Sequence, residues 1–268
     1  MRLLVSVADR EEAVAALAGG ADVIDAKDPT TGPLGAVSIA VLREIHAATN
    51  GTRPVTAALG DAADKRAVER AARAFAAAGA MLVKVGFAGV TGAERVAALL
   101  VAAVRGATSG SDGRCGVIAV SYADAHRVAG PAPSALIEAA ATAGATGVLL
   151  DTADKNGPGV RDLLSPGALA AWVAQAHEAR LLAAVAGRLQ LDDLGFVRDA
   201  GADIAGVRGA ACEGGRTGRV TAGKVCVLRM LCEPARPTVP GEVPRGRSRG
   251  SSHSPGELPD RARSSVSE

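Results

Sequence analysis

The sequence predicts a single-domain α/β fold, a (β/α)8 TIM barrel, and three observations carry that prediction. Short apolar runs alternate with amphipathic stretches across residues 1–233, the pattern of parallel β-α units, and eight such runs occur. An Ala-Gly-Ala signature recurs in Ala18-Gly19-Gly20-Ala21, Ala78-Gly79-Ala80, Ala143-Gly144-Ala145 and Ala200-Gly201-Ala202. Gly20, Gly79, Gly144 and Gly201 stand 59, 65 and 57 residues apart, so one period holds two β-α units. Four periods then give eight strands, and the length approaches the roughly 250 residues typical of such a barrel. The rival architecture, an open doubly wound sheet, calls for a Gly-rich nucleotide turn after its first strand. That turn is Val7-Ala8-Asp9-Arg10-Glu11-Glu12 here, with no G-x-G-x-x-G.

The units follow in order. The apolar run 3–8 leads into an amphipathic helix over 11–18. The run 22–27 leads into a helix over 39–48 that starts at Ser38, whose hydroxyl suits the free N–H groups of a first turn. Next come 55–59 with a helix over 65–78 and Asp61 near its start, and 81–87 with a helix over 93–104. The run 116–121 is followed by a helix over 133–143 with Ser134 near its start, and 147–151 by one over 167–179 with Ser165 near its start. The last two units pair 181–186 with 191–200 and 203–208 with 223–232. The repeated glycines close the helices, because a left-handed residue there costs glycine nothing sterically. From Pro234 the chain turns to Pro, Arg, Ser and Gly. Such a segment buries too little surface to offset its ordering entropy, so 1–233 is expected to be the catalytic barrel and 234–268 a disordered tail.

Composition narrows the function. The net charge of +2 arises entirely in 234–268, where six arginines face four acids, so the remaining chain is neutral. Neutrality and only five aromatic side chains argue against nucleic-acid binding, which wants a basic face and stacking rings. Cys115, Cys212, Cys226 and Cys232 show no C-x-x-C spacing and no signal peptide precedes them; they read as buried free thiols in a reducing cytoplasm. Charges or glycines break every apolar run short of the roughly 18 residues of a membrane span. A cytoplasmic protein that binds neither nucleic acid nor membrane is expected, and its Ala-rich helix faces would permit a homo-oligomer.

The most informative residues are lysines. Only five occur among 30 basic residues, and Lys27, Lys84 and Lys155 fall at or near the carboxyl ends of predicted strands. Arginine serves almost everywhere else, so a lysine kept in an apolar strand points to something arginine cannot do, namely lose its proton and attack a carbonyl. Apolar walls or neighbouring cations lower the pKa of an ammonium and supply the free amine that Schiff-base chemistry needs. Asp25 shares a strand face with Lys27, and Asp151 shares parity with Lys155. Lys84 alternates with residues that face the helices and is expected to point into the barrel, where chemistry sits at the carboxyl ends of the strands. Several buried ion pairs without a function would be costly, which favours an enzyme acting on a carbonyl.

The loops after the last two strands, Ala186-Gly187-Arg188 and Ala205-Gly206-Val207-Arg208-Gly209-Ala210, suit a substrate phosphate. The backbone of Gly187, Gly206 and Gly209 would approach it, with Arg208 as the charged anchor or Arg216 in its place. Tyr122 and Asp124 follow the fifth strand and serve either the reaction or packing. His46 and His177 fall on outer helices, and His126 in a loop has no Asp, Glu or His cluster around it, so no metal site is expected.

Five segments resemble the (5-formylfuran-3-yl)methyl phosphate synthase family. They are Leu3-Leu4-Val5-Ser6, Gly19-Gly20-Ala21-Asp22-Val23-Ile24-Asp25-Ala26-Lys27-Asp28-Pro29, Gly32-Pro33-Leu34-Gly35-Ala36, Val83-Lys84-Val85-Gly86 and Leu150-Asp151-Thr152-Ala153-Asp154-Lys155-Asn156-Gly157. The resemblance runs from Met1 to about Glu233. It implies a (β/α)8 barrel lyase that joins two molecules of glyceraldehyde 3-phosphate into a furan aldehyde phosphate for methanofuran-type one-carbon cofactors, without a metal or organic cofactor. It further implies Lys27 as the Schiff-base lysine and Lys84 as proton acceptor, with Asp25, Asp151 and Lys155 assisting. Asp28 and Pro33 stand where the family often has Asn and Ser.

Overall fold

The structure is a computed structural model that describes residues 1–233; the expected tail lies outside the described residues. Eight parallel strands close in sequence order into a barrel: β1 (Arg2–Val7), β2 (Val23–Ala26), β3 (Val55–Asp61), β4 (Leu82–Gly86), β5 (Gly116–Tyr122), β6 (Gly147–Asp151), β7 (Leu182–Val185) and β8 (Ile204–Val207). Closure is made by β1, which pairs with β2 on one side and with β8 on the other, from Arg2 opposite Ile204 to Val5 opposite Val207. Around the barrel lie α1 (Arg10–Ala18), α2 (Ile39–Thr49), α3 (Lys65–Ala77), α4 (Ala93–Ser111), α5 (Pro133–Thr142), α6 (Val160–Leu163), α7 (Pro166–Glu178), α8 (Asp193–Asp199) and α9 (Ala222–Leu231). A two-stranded antiparallel hairpin, β9 (Cys212–Glu213) and β10 (Arg219–Val220), follows the last barrel strand. No described helix is long and apolar enough to cross a membrane.

Strand alternation divides the core in two. Val83 and Val85 pack outward with Val5, Ile24, Val117 and Val148 against the helices, while Leu4, Val23, Ile118, Leu149 and Ile204 fill the barrel. The inward parity that places Leu82 toward the barrel also turns Lys84 there, and it is 4% exposed.

The glycines of the repeat behave as their sequence position requires. Gly20, Gly79, Gly144 and Gly201 all have positive φ, from 76° to 103°, at helix ends. Ser38 and Ser165 cap α2 and α7 by accepting from Val41 and Ala168 N–H. Two expected caps are corrected. Asp61 ends β3 instead, and α3 is capped by Asp64; α5 starts on Ala132 with Pro133 in its first turn, so Ser134 lies inside the helix. Helix α4 runs to Ser111, past the expected end at 104, because Gly106 and Gly110 are contact points rather than breakers. A Cβ on either would stand 2.2 or 2.3 Å from the carbonyl oxygens of Glu69 and Arg73 in α3. Of the four thiols, Cys115, Cys212 and Cys232 are buried, but Cys226 is exposed on α9, contrary to expectation.

Candidate active site

The carboxyl ends of β2, β4 and β6 bring the five predicted residues together. Asp25 sits inside the barrel with no exposed surface, between Ser6 of β1 and Thr56 of β3, its register neighbours. It accepts hydrogen bonds from Ser6 Oγ at 2.8 Å, Thr56 Oγ1 at 2.7 Å and Lys84 Nζ at 2.5 Å. Asp151, at the end of β6, accepts from Lys155 Nζ at 2.6 Å and from the Thr152 N–H at 2.8 Å. Burial works to raise both carboxyls, but the charges of Lys84 and Lys27 at Asp25, and of Lys155 and Lys27 at Asp151, outweigh it and hold both below the ordinary carboxylate value. Two ion pairs are thereby built into the floor of the mouth.

Lys27, immediately after β2, belongs to neither. Its Nζ makes no hydrogen bond and no ion pair among the described residues, although it is only 8% exposed. Burial, then the nearby charges of Lys84 and Lys155, lower its pKa to about 7 against the pull of Asp151 and Asp25. A cavity of about 590 Å³ opens on it, lined also by Ser6, Lys84, Asp151, Lys155 and Gly187.

Neighbouring loops are tied to this floor. Asp124, 1% exposed, accepts from the N–H groups of Ala153 and Asp154 at 2.7 and 3.0 Å and so fixes the segment that carries Lys155. Tyr122 is buried and donates to Asp61 at 2.9 Å; burial, with the Asp61 charge, pushes its hydroxyl well above the usual range. Ser6, Thr56 and Thr152 were not singled out in the sequence, yet the inward parity of residues 6 and 56, one register step either side of Asp25, is the signal that marks the first two.

The phosphate expectation is altered at Arg208. That side chain is 7% exposed and all five of its N–H donors are engaged within the protein. Nε donates to Arg216 O at 3.0 Å, Nη1 to Ser6 O at 3.1 Å and to Glu12, and Nη2 to Glu12 Oε1 at 3.1 Å and Gly218 O at 2.9 Å. A buried guanidinium needs this saturation, and none of it is left over for a phosphate. Gly206 lies within β8, opposite Leu4, rather than on the loop. Gly187, Arg188, Leu189 and Gly209 line the cavity, and their N–H groups have no acceptor among the described residues. Gly187 and Arg188 have φ of 97° and 61°, two successive residues with positive φ in the turn after β7.

A closed (β/α)8 barrel that gathers three lysines and two buried carboxylates at the carboxyl ends of its strands places a candidate site where barrel enzymes carry theirs. The comparisons with known proteins make the assignment particular. The chain belongs to the 4-HFC-P synthase family, whose model matches residues 3–229. It is 43% identical over 220 residues to the (5-formylfuran-3-yl)methyl phosphate synthase of Methanopyrus kandleri, covering 81% of this chain and 92% of that protein. Identity to the synthase of the same name from Methanocaldococcus jannaschii is 38% over 236 residues, 87% of this chain and all of that one. Among solved structures, deoxyribose phosphate aldolase from Aeropyrum pernix superposes with a TM-score of 0.59 at 17% identity, over 84% of this chain and 88% of its own. A 3-hexulose-6-phosphate synthase gives 0.55 at 22% identity, over 87% and 100%. These two share the barrel architecture.

Proposed function

We propose that this chain condenses two molecules of glyceraldehyde 3-phosphate through a Schiff base on Lys27 to give (5-formylfuran-3-yl)methyl phosphate, a lyase reaction feeding a methanofuran-type cofactor. One observation carries the reading: Lys27 is the mouth lysine without a bonded partner among the described residues, with a pKa lowered to about 7, beside two lysines each held by an aspartate. A neutral amine at physiological pH is what carbonyl addition requires.

The residues divide the steps. One triose phosphate is isomerised to its ketone by proton transfer, for which the Lys84–Asp25 pair is the acceptor, Lys84 taking the substrate proton as its own passes to Asp25. Lys27 adds to the aldehyde of the other triose phosphate and water leaves, giving an iminium that withdraws electrons, so that the proton on C2 is taken and phosphate leaves from C3. The C3 carbon of the resulting enol attacks the ketone carbon of the first triose and forms the new carbon–carbon bond, which leaves that carbon bearing the CH2–O–phosphate branch. The free hydroxyl of the ketone-derived unit closes the ring, two waters are lost to give the aromatic furan, and hydrolysis of the imine releases the aldehyde from Lys27. Two three-carbon phosphates thus give one six-carbon monophosphate, one phosphate and two waters, with no net oxidation. Asp151 and Lys155, paired at 2.6 Å, stand at the same mouth for the proton transfers of elimination and dehydration. The backbone N–H groups of Gly187, Arg188, Leu189 and Gly209 suit the phosphate, with the Arg188 guanidinium nearby as its countercharge.

Borohydride trapping with glyceraldehyde 3-phosphate, followed by peptide mapping, is expected to label Lys27, and product formation to raise near-ultraviolet absorbance. Trapping should rise with pH through about 7 and then level off, following loss of the Lys27 proton. Lys27→Arg keeps the charge and removes the nucleophile, so turnover should vanish in a folded protein. Labelling at Lys84 or Lys155 alone would reverse the assignment.

A further inference from the structure

Arg216 lies in the turn between β9 and β10 and lines the cavity. Its guanidinium donates to the carbonyl oxygens of Pro29 and Gly32, the second at 2.6 Å. Both acceptors belong to the connection between β2 and α2, which starts directly after Lys27. That connection is closed on itself. Asp28 N–H donates to Gly35 O at 2.9 Å, and the Asp28 carboxylate accepts from the Thr30 N–H and hydroxyl at 2.8 and 2.7 Å. Gly35 is packed so closely that a Cβ would stand 2.1 Å from Thr31 Oγ1 and 2.2 Å from Asp28 O. A loop this tight moves as one piece, so holding residues 29 and 32 also holds Asp28 and the backbone of Lys27.

The turn that carries Arg216 is anchored in the opposite direction. Arg208 donates to the carbonyls of Arg216 and Gly218 at 3.0 and 2.9 Å and forms a buried pair with Glu12 of α1. A continuous path of charged hydrogen bonds therefore runs from α1 through the end of β8 and the hairpin to the loop behind Lys27. The Arg208 pair is needed by this path even though it offers nothing to a substrate.

We propose that Arg216 is a positioning residue: its planar fork spans two carbonyls of the β2–α2 loop and so fixes Lys27 where the iminium forms. The proposal rests on the reading of Lys27 as the Schiff-base lysine. A flexible ammonium reaches one carbonyl at a time, which is why arginine and not lysine suits the place. Displacing a nucleophile by about 1 Å costs up to a hundredfold in rate.

The test compares full-length enzyme with Arg216→Ala and Arg216→Lys. The measurements are the rate of borohydride-trapped adduct at Lys27 with glyceraldehyde 3-phosphate and with unphosphorylated glyceraldehyde, the pH profile of that rate, and inhibition by inorganic phosphate. For Arg216→Ala, trapping is expected to slow by about tenfold to a hundredfold with both aldehydes. Phosphate inhibition should stay within about twofold, and the pH midpoint should move upward as Lys27 leaves its buried place. Arg216→Lys should fall between wild type and Arg216→Ala, and it carries the comparison alone if thermal melting shows Arg216→Ala to be unfolded. Unchanged trapping with an unchanged pH midpoint would overturn the proposal. So would a loss confined to the phosphorylated aldehyde together with weaker phosphate inhibition, which would make Arg216 a phosphate anchor. If wild type itself shows no label on Lys27, the proposed function fails, whatever the Arg216 variants do.

Discussion

The lowered pKa of Lys27 comes from its surroundings and not from any bond it makes. An ordinary lysine, with a pKa near 10.4, presents roughly one neutral amine in a thousand at neutral pH, whereas a value of about 7 presents about half. The same lowering carries a cost in folding. Below pH 7 Lys27 is protonated in both folded and unfolded chains, and the folded state bears the full penalty of a buried ammonium beside Lys84 and Lys155. Between about 7 and 10.5 the unfolded chain holds the proton and the folded one does not, so the penalty fades as pH rises. Lys27→Met is therefore expected to raise the melting temperature at pH 6 and to lose that advantage toward pH 10; an equal gain at both would show that Lys27 is not buried as a charge. At this scale the sequence was legible wherever residue choice broke the background. Lysines stand out in an arginine-rich chain, and Asp25 and Asp151 follow from strand parity. Ser6 and Thr56 did not stand out, because a hydroxyl in a strand is common and its value here lies in the neighbour that closure of the barrel brings beside it.

The element without a signature in the sequence is the hairpin of β9 and β10, too short to show any periodicity, and so Arg208 was expected at a phosphate and not among the hydrogen bonds of the hairpin. Glycines around residues 206–216 suggested an anion loop, but the glycines at 214 and 215, with φ of 80° and 77°, shape the turn whose carbonyls take two of the five Arg208 donors. Arg208→Ala is thus expected to act on stability. It would leave Glu12 buried without its countercharge and free the hairpin, at about 3–5 kcal/mol measured by urea unfolding. The double variant Glu12→Gln/Arg208→Ala should lose less than the two single losses combined, because the uncompensated charge is gone. Near-wild-type stability in Arg208→Ala, with affinity lost for phosphorylated substrate alone, would return Arg208 to the phosphate. Helix α4 carries the parallel lesson at another interface: Gly106 and Gly110 look like an ending in sequence, and only the approach of α3 shows them to be a contact.

For the molecule as a whole, the legible quantity was the period. Two β-α units per Gly-marked repeat gave strand number and order, because each repeat glycine must leave a helix in a left-handed conformation wherever the helix sits. Site assembly was legible to the same extent: residues at the carboxyl ends of β2, β4 and β6 must meet once the sheet closes. The connections that steer loops across the mouth were not legible, since Arg216 to Pro29 and Gly32 joins residues more than 180 positions apart without a pattern to announce it. Closure also bears on how much chain the barrel needs. All eight strands are in place by Val207, β1 and β8 are paired, and α9 packs against β1 and the turn after β8 with Val225 and Leu228 fully buried, ending at Leu231. Arg229 of that helix reaches back to Asp22 at 3.0 Å, so the last turn is fastened to the start of β2. A chain ending at Glu233 is therefore expected to keep the melting temperature and turnover of the full-length protein, whereas one ending at Val220 would expose the face of β1 that α9 covers and should not fold. Loss of activity with an unchanged melting temperature in the longer truncation would assign a part in the reaction to residues 234–268; loss of both would make them part of the fold.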